Sequence, residues 1–192
     1  LAGSDETIDK LDGTAGSVTL GNGGTLIADG GNFAGDITGT GTSELEVNDS
    51  GSNNALTLSG TGNDFSTLDI QSGTVTLSGN LDNDTDVTLA ATSSDFDLTG
   101  SDETIDQLDG VSGSSVTLGN GGQLTAKGGN YAGNITGDTA SRLIMNATGN
   151  TLDLTGGDNS GFSGKMTVSA GTLQGDTDAL TTDITNSGSV VF

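Results

Sequence analysis

The chain contains one block of sequence twice in tandem, and this duplication limits its fold more than any other feature. Residues 1–13 and 98–110 are identical at 11 of 13 positions, and residues 17–39 and 115–137 match at 18 of 23. The offset between the copies is 97 residues in the first stretch and 98 in the second. Tandem copies without a linker indicate a fold that grows by stacking similar units.

The recurring local pattern is a triplet in which two apolar residues flank a polar one. This alternation places the outer two residues on one side of a β-strand and the middle residue on the other. The most frequent form, Val-Thr-Leu, occurs at residues 18–20, 75–77, 87–89 and 116–118. The triplets are bounded by residues that favour turns, such as Gly, Asn, Asp and Ser. Sustained helical periodicity is missing, so we predict an all-β fold with almost no helix.

Many short strands are typical of either an antiparallel sandwich or a coiled parallel sheet. The duplication favours the coil, because two sandwiches would need a linker between them, and Asp97 is followed directly by strand-like sequence at Leu98. The chain has no Pro, which suits central strands whose N–H groups all enter a ladder.

We therefore predict a single parallel β-helix segment, residues 1–192, built from copies at residues 1–97 and 98–192. At roughly 20 residues per rung the chain makes about nine rungs, which gives a rod on the order of 45 Å long. We expect the two copies to superpose by a translation along the axis of this β-solenoid. In each Val-Thr-Leu triplet the outer residues should face the core and the Thr the solvent.

The composition is strongly acidic and poor in apolar residues. Only 30% of the chain is hydrophobic and 3% aromatic, and the formal net charge is −22. Such values are also typical of disordered chains, but the regular placement of the apolar residues favours a folded coil. Net negative charge excludes a large basic surface for nucleic acid or anionic membranes. The four basic residues are Lys10, Lys127, Arg142 and Lys165.

Several classes of chemistry are excluded by residue types that the chain lacks. There is no Cys and no His, so disulfides, a Cys nucleophile, a Ser-His-Asp triad and an ordinary zinc site are ruled out. No stretch is long and apolar enough for a transmembrane helix. The residues after Leu1 do not read as a signal peptide, so we expect any export signal to lie outside this sequence.

Carboxylates remain available for glycosidase chemistry. An acidic group recurs in both copies, as either a catalytic pair or a solvated corner of the rung. Its members are Asp5, Glu6, Asp9 and Asp12, repeated as Asp102, Glu103, Asp106 and Asp109. We favour the solvated corner, because neighbouring charges exchange freely between the copies, as in Lys10 against Gln107 and Asp29 against Lys127.

Two segments have some features of calcium sites. Residues 60–68 approach the calcium-binding nonapeptide of β-helices, but the motif occurs once and is not in tandem. Residues 82–86 resemble the start of an EF-hand loop without its Gly and closing Glu. We favour Asx-rich turns for both segments. The sequence therefore predicts no catalytic, cofactor-binding or metal-binding residues, and no cofactor.

The spacing of apolar residues and glycines in each copy resembles the strand repeat of bacterial autotransporter passenger domains. The first copy carries this pattern at Ile8, Leu11, Gly13, Gly16, Val18, Leu20, Leu26, Phe33, Gly35, Ile37 and Gly39, and the second at Ile105, Leu108, Gly110, Gly113, Val116, Leu118, Leu124, Tyr131, Gly133, Ile135 and Gly137. Residues 161–175 are similar to the passenger-associated transport repeat, which runs aromatic, small, Gly and later Gly-Thr-Leu. Residues 64–75 are a degenerate copy with Thr67 in place of Gly. Residues 183–192 look like the rung that usually follows this repeat.

The resemblance implies a right-handed parallel β-helix, exported through an outer-membrane barrel of the parent protein and displayed on the bacterial cell surface or released from it. It further implies a non-enzymatic adhesin segment that acts as a rigid stalk. Its expected partners are further copies of itself or a host or matrix ligand, and neither nucleic acid nor a membrane that the segment itself spans. The alternative is a carbohydrate-active β-helix enzyme, either a polysaccharide lyase or a glycosidase.

Overall fold

The computed structural model describes residues 3–49 and 55–192. Within these ranges the chain forms strands and turns, and no helix. The strands are β1 (Glu6–Ile8), β2 (Ser17–Thr19), β3 (Thr25–Ala28), β4 (Gly31–Phe33), β5 (Asp36–Thr38), β6 (Glu44–Asn48), β7 (Leu56–Leu58), β8 (Thr67–Leu77), β9 (Asp86–Leu89), β10 (Ser94–Asp97), β11 (Asp102–Gly110), β12 (Ser115–Thr117), β13 (Gln123–Asn130), β14 (Asn134–Thr136), β15 (Arg142–Asp153), β16 (Lys165–Gln174), β17 (Ile184–Asn186) and β18 (Ser189–Val191).

Strands of successive turns pair in parallel and form three faces of a coil. Face 1 contains the whole of β1, β3, β6, β9 and β18. It also contains the start of β8 and the ends of β11, β13, β15 and β16. Face 2 contains β4, β7, the end of β8, β10, β12 and β14. Face 3 contains β2 and β5, then the starts of β11, β13, β15 and β16, and β17. The predicted parallel β-solenoid of about nine turns is confirmed.

Strands β8 and β16 pass from one face to the next at a glycine with positive φ. Strand β8 leaves face 1 and enters face 2 at Gly73, which has a φ of 86°. Strand β16 passes from face 3 to face 1 at Gly171, which has a φ of 81°. A side chain is strained at such angles, so glycine at these corners lets the backbone bend while its hydrogen-bond ladders continue on both sides.

The interior is filled by apolar residues stacked turn upon turn. On face 1, one such column runs through Leu26, Leu45, Leu68, Val87 and Leu108. All five side chains are buried. The face assignment of the Val-Thr-Leu triplets is also confirmed, because their outer residues are buried, except for half-buried Val18 in the first turn. The buried ones are Leu20, Val75, Leu77, Val87, Leu89, Val116 and Leu118.

The aromatic-small-Gly motif is a packing unit in which the ring of the aromatic residue lies over glycines. Tyr131 is fully buried, and a Cβ added at Gly133 would lie 2.5 Å from its Cζ atom. In the preceding turn, a Cβ added at Gly110 would lie 2.6 Å from Cε2 of the same ring. The ring therefore occupies the space that two side chains would otherwise fill, which explains why this motif spaces an aromatic residue two positions before a Gly.

The two copies of the repeat do not lie above each other on the same faces. Strand β3 of the first copy lies on face 1, whereas its counterpart, residues 123–126, lies on face 3. Strand β2 lies on face 3, and its counterpart β12 lies on face 2. The expectation of a pure translation is therefore wrong. One copy contains four full turns and two of the three faces of a fifth turn. Because this is one face short of a whole number of turns, the second copy is shifted along the axis and also rotated about it by one face.

Candidate functional site on the outer faces of the solenoid

Two of the repeated acidic residues make the same contact in both copies. The Oδ1 atom of Asp12 accepts a hydrogen bond from the backbone N of Asn32 at 2.8 Å, and Oδ1 of Asp109 accepts one from the backbone N of Asn130 at 2.8 Å. Both contacts are exposed and link one turn to the next. These two carboxylates therefore belong to a solvated corner, as the sequence predicts for the whole acidic group.

Glu103 departs from that prediction, because its side chain lies in the core and is only 4% exposed. Its Oε2 accepts a hydrogen bond from the backbone N of Leu81 at 3.2 Å, and its Oε1 accepts one from the N of Thr104 at 3.0 Å. Burial raises the pKa of this carboxyl from 4.5 to about 7, and the two hydrogen bonds oppose that rise. The assignment of Glu103 to a solvated corner is therefore wrong.

The position of Glu103 follows from the alternation along β11. Glu103 pairs in register with the buried Leu124, just as its counterpart Glu6 pairs with Leu26. Both glutamates thus point towards the interior. Glu6 is nevertheless exposed, because it lies in the first described turn and no described turn packs on its outer side. The signal was present in the sequence, since Glu103 shares its side of the strand with Ile105, which is buried.

The first calcium candidate, residues 60–68, turns a polar side chain into the core. Asn63 is 2% exposed, and its Oδ1 accepts a hydrogen bond from the backbone N of Ile37 at 2.9 Å. Its Nδ2 donates to the backbone O of Asn80 at 2.9 Å. The amide thus joins the turn on one side to the turn on the other, which is a structural role of the kind predicted for an Asx-rich segment.

The second calcium candidate, residues 82–86, forms a tight turn beside a shallow cleft. The backbone N of Asp84 donates to Oδ1 of Asp82 at 3.0 Å, and Oδ1 of Asp84 lies 2.6 Å from Nζ of Lys127. The cleft has a volume of about 220 Å³ and is lined by Gly39, Thr40, Gly41, Asp64, Phe65, Ser66, Asp82 and Asp84. Across residues 3–49 and 55–192, no three acidic side chains are grouped closely enough to hold a metal ion.

The outward positions of face 1 carry a patch of carboxylates on neighbouring strands. We define the acidic patch as Glu44, Glu46, Asp69 and Asp86. Glu46 on β6 pairs in register with Asp69 on β8, so the two lie one strand spacing apart, about 4.8 Å. Burial raises the pKa of Asp69. Burial and the nearby charges of Asp69 and Glu46 raise the pKa of Glu44.

Face 3 carries two neighbouring cations. We define the basic pair as Arg142 on β15 and Lys165 on β16, which are exposed and pair in register. Within the part of the chain that the structure describes, neither side chain has a carboxylate within 4.0 Å. Sequence reasoning counted these cations as too few to matter and missed their juxtaposition, because residues 23 apart meet only once the length of a turn is known.

Face 2 is rich in hydroxyl groups. One outward row runs in register through Thr57, Thr76, Asp97, Thr117 and Thr136. The middle of the neighbouring row is more tightly bonded, since Oδ1 of Asp95 accepts from Oγ of Ser115 at 2.6 Å. The three faces therefore differ in chemistry: the acidic patch lies on the first, a hydroxyl row on the second and the basic pair on the third.

Comparison of the chain with protein-family models, with curated proteins and with solved structures finds no match. Among the described residues there is also no helix that could cross a membrane. Any proposal on function therefore depends on the shape and the outward side chains of the solenoid.

Proposed function

We propose that this chain is a surface-displayed β-helical passenger segment of a bacterial autotransporter adhesin, and that it is not an enzyme. It mediates adhesion or self-association between cells and serves as a rigid stalk. Export uses an outer-membrane barrel of the parent protein, and the segment acts at the cell surface or after release. The observation that supports this proposal is the stack of about nine turns, which presents rows of polar side chains along three faces.

A stalk must resist bending, and two features of the core support this role. Apolar columns continue from turn to turn across the boundary between the two copies, for example from Leu68 through Val87 to Leu108. Buried amides and a buried carboxyl additionally bond adjacent turns. Close packing of this kind leaves little freedom between turns.

An adhesive surface must also form contacts with its partner that are at least as favourable as its contacts with water. The outward rows of Thr, Asn, Ser and Asp repeat at the strand spacing, so many weak hydrogen bonds can form together with a partner. The net charge of −22 opposes contact between two such rods at long range. We therefore expect association to strengthen as salt shortens the Debye length from about 30 Å at 0.01 M to about 8 Å at 0.15 M.

The proposal is tested by displaying the complete chain on bacteria that do not clump. We expect cells with the displayed chain to settle faster or to adhere to host cells or matrix, and to do so more strongly at 0.15 M than at 0.01 M salt. Cells that display only the anchor are the control. Displayed protein that neither clumps cells nor binds a surface at any salt would contradict the proposal.

The cleft beside residues 82–86 favours one alternative, a carbohydrate-active enzyme. It contains the carboxylates of Asp64, Asp82 and Asp84, and paired carboxylates are the groups that glycosidases use. Against this, Phe65 in the cleft is only 3% exposed and offers little stacking platform for a sugar. Depolymerisation of a polysaccharide by the purified chain, abolished by Asp64→Asn or Asp82→Asn, would support the enzyme instead.

A further inference from the structure

The acidic patch on face 1 and the basic pair on face 3 match each other in spacing. Glu46 and Asp69 are register partners on adjacent strands, and so are Arg142 and Lys165. Both pairs are therefore separated by one strand spacing, about 4.8 Å. Two rods laid side by side share this repeat, so both cations of one rod can meet two carboxylates of another at the same time.

Among the described residues, neither group has an ion-pair partner within its own molecule. Oδ1 atoms of Asp69 and Asp86 are buried and lack a hydrogen-bond partner, although these side chains lie at outward positions of face 1. The basic pair has no carboxylate within 4.0 Å among the described residues. The two groups cannot reach each other within one rod, because they lie on different faces and about four turns apart along the axis.

Each charged group also has an apolar neighbour that is half-buried. Ile27 points outward from β3 and is the register partner of Glu46. Ile144 points outward from β15, two residues after Arg142. Outward isoleucines interrupt rows that are otherwise polar, and apolar surface beside charged groups strengthens a contact by excluding water from it.

We propose that the acidic patch on face 1 of one molecule docks against the basic pair on face 3 of a second copy of the same chain. This inference rests on the self-association proposed above and identifies the surfaces that carry it. Because the two surfaces differ, the contact is heterologous. Each molecule of a dimer keeps one free surface of one kind or the other, so rods add side by side into assemblies larger than a dimer.

The salt dependence of this contact has two opposing parts. Added salt first screens the repulsion between two molecules that each carry a net charge of −22, which favours association. At higher concentrations it also weakens the ion pairs of the contact itself. We therefore expect association of the purified chain to pass through a maximum at intermediate ionic strength.

Charge exchange tests which surfaces meet. One variant carries Arg142→Glu and Lys165→Glu, and the other carries Glu46→Lys and Asp69→Lys. We expect each variant alone to associate at least about tenfold more weakly than the wild-type chain, because like charges then face each other. An equimolar mixture should associate again, since each acidic face then finds a basic one. Sedimentation velocity measures association, and circular dichroism checks that each variant is folded.

A matched control separates local contact from net charge. Arg142→Gln with Lys165→Gln lowers the net charge by two units, and so does Ser78→Glu with Ser112→Glu at two exposed turn positions outside the strand rows. We expect the first double variant to lose association and the second to retain it. If both lose it equally, or if each charge-exchange variant associates as well as the wild-type chain, the assigned surfaces are wrong.

The failure of this inference is distinguishable from the failure of the proposed function. If displayed wild-type chain clumps cells and the charge-exchange variants clump them equally, self-association stands and the assigned surfaces are overturned. If displayed wild-type chain binds a host or matrix surface but not itself, adhesion stands and the contact between copies is overturned. If displayed wild-type chain does neither, both proposals are overturned.

Discussion

Asn63 and Asn159 make equivalent hydrogen bonds in the two copies of the repeat. Oδ1 of Asn63 accepts from the N of Ile37 at 2.9 Å, and Oδ1 of Asn159 accepts from the N of Ile135 at 2.7 Å. Nδ2 of Asn159 donates to the O of Ala179 at 2.9 Å, as Nδ2 of Asn63 does in the turn after it. In both copies, one buried amide therefore bonds the turn before it and the turn after it.

Replacing Asn159 by Ala should destabilise the chain, because it leaves a buried N–H and a buried carbonyl without their partner. Each unpaired group costs roughly 1–3 kcal/mol, which urea unfolding would measure. Asn32→Ala is the control, since this exposed side chain should change stability by less than about 0.5 kcal/mol. Equal stability of the two variants would show that the internal amide is not needed.

Replacing Leu118 by Ala should cost roughly 2–5 kcal/mol, because the side chain is fully buried and its removal leaves a cavity. Thr136→Ala changes an outward residue on face 2 and should cost much less. A Leu118→Asp variant with an unchanged unfolding midpoint would contradict the packing of this position.

Stability should fall as the pH rises from about 4.5 to about 7. The pKa of Glu103 is raised to about 7 in the folded chain from 4.5, so the folded state holds its proton over a range where the unfolded state releases it. By linkage this contribution is complete below pH 4.5 and is lost as the pH rises through about 7, and it amounts to about 3 kcal/mol. Burial also raises the pKa of Asp69, Asp86 and Asp95, which acts in the same direction.

The variant Glu103→Gln isolates the part that Glu103 contributes. It keeps an oxygen that accepts from Leu81 N but carries no charge, so at pH 8 we expect it to unfold at higher denaturant than the wild-type chain. Below pH 4.5 the difference should vanish. A wild-type chain that gains stability steadily from pH 4.5 to pH 7, and a Gln variant that does the same, would rule out this explanation.

Gly133→Ala should lower the stability of the folded chain, because the new Cβ would lie 2.5 Å from Cζ of Tyr131. Overpacking of this kind costs about 1–3 kcal/mol. Tyr131→Leu removes the ring, so the double variant should be less destabilised than the sum of the two single ones. Additive losses in this double-mutant cycle, measured by thermal unfolding, would show that the ring does not exclude a side chain there.

The period of two in the triplets was enough to predict which residues enter the core, because a strand offers only two sides. The number of turns followed from the length of the chain. The face on which each strand lies could not be predicted, because it depends on the number of residues in every turn. That number varies: along face 1, it is 19 from Leu26 to Leu45 and 23 from Leu45 to Leu68. Without the length of each turn, the sequence does not predict that Arg142 lies beside Lys165 or that Glu46 lies beside Asp69.

The burial of Glu103 was not predicted, for a different reason. Acidic residues are almost never fully buried, and the other three acidic residues of its group are exposed or half-buried. The alternation of β11 nevertheless points its side chain inward, where the N–H of Leu81 supplies a partner. A local pattern and a general tendency disagreed at this position, and the pattern was correct.

The rotation of one copy against the other changes what duplication does to such a rod. A repeat with a whole number of turns would enlarge a single binding strip and set equal charges one above the other. Here each added copy would aim the same residues in a new direction, and only every third copy would face the same way. Lengthening the molecule would then increase the number of sides from which neighbours are reached, so valency would grow together with length.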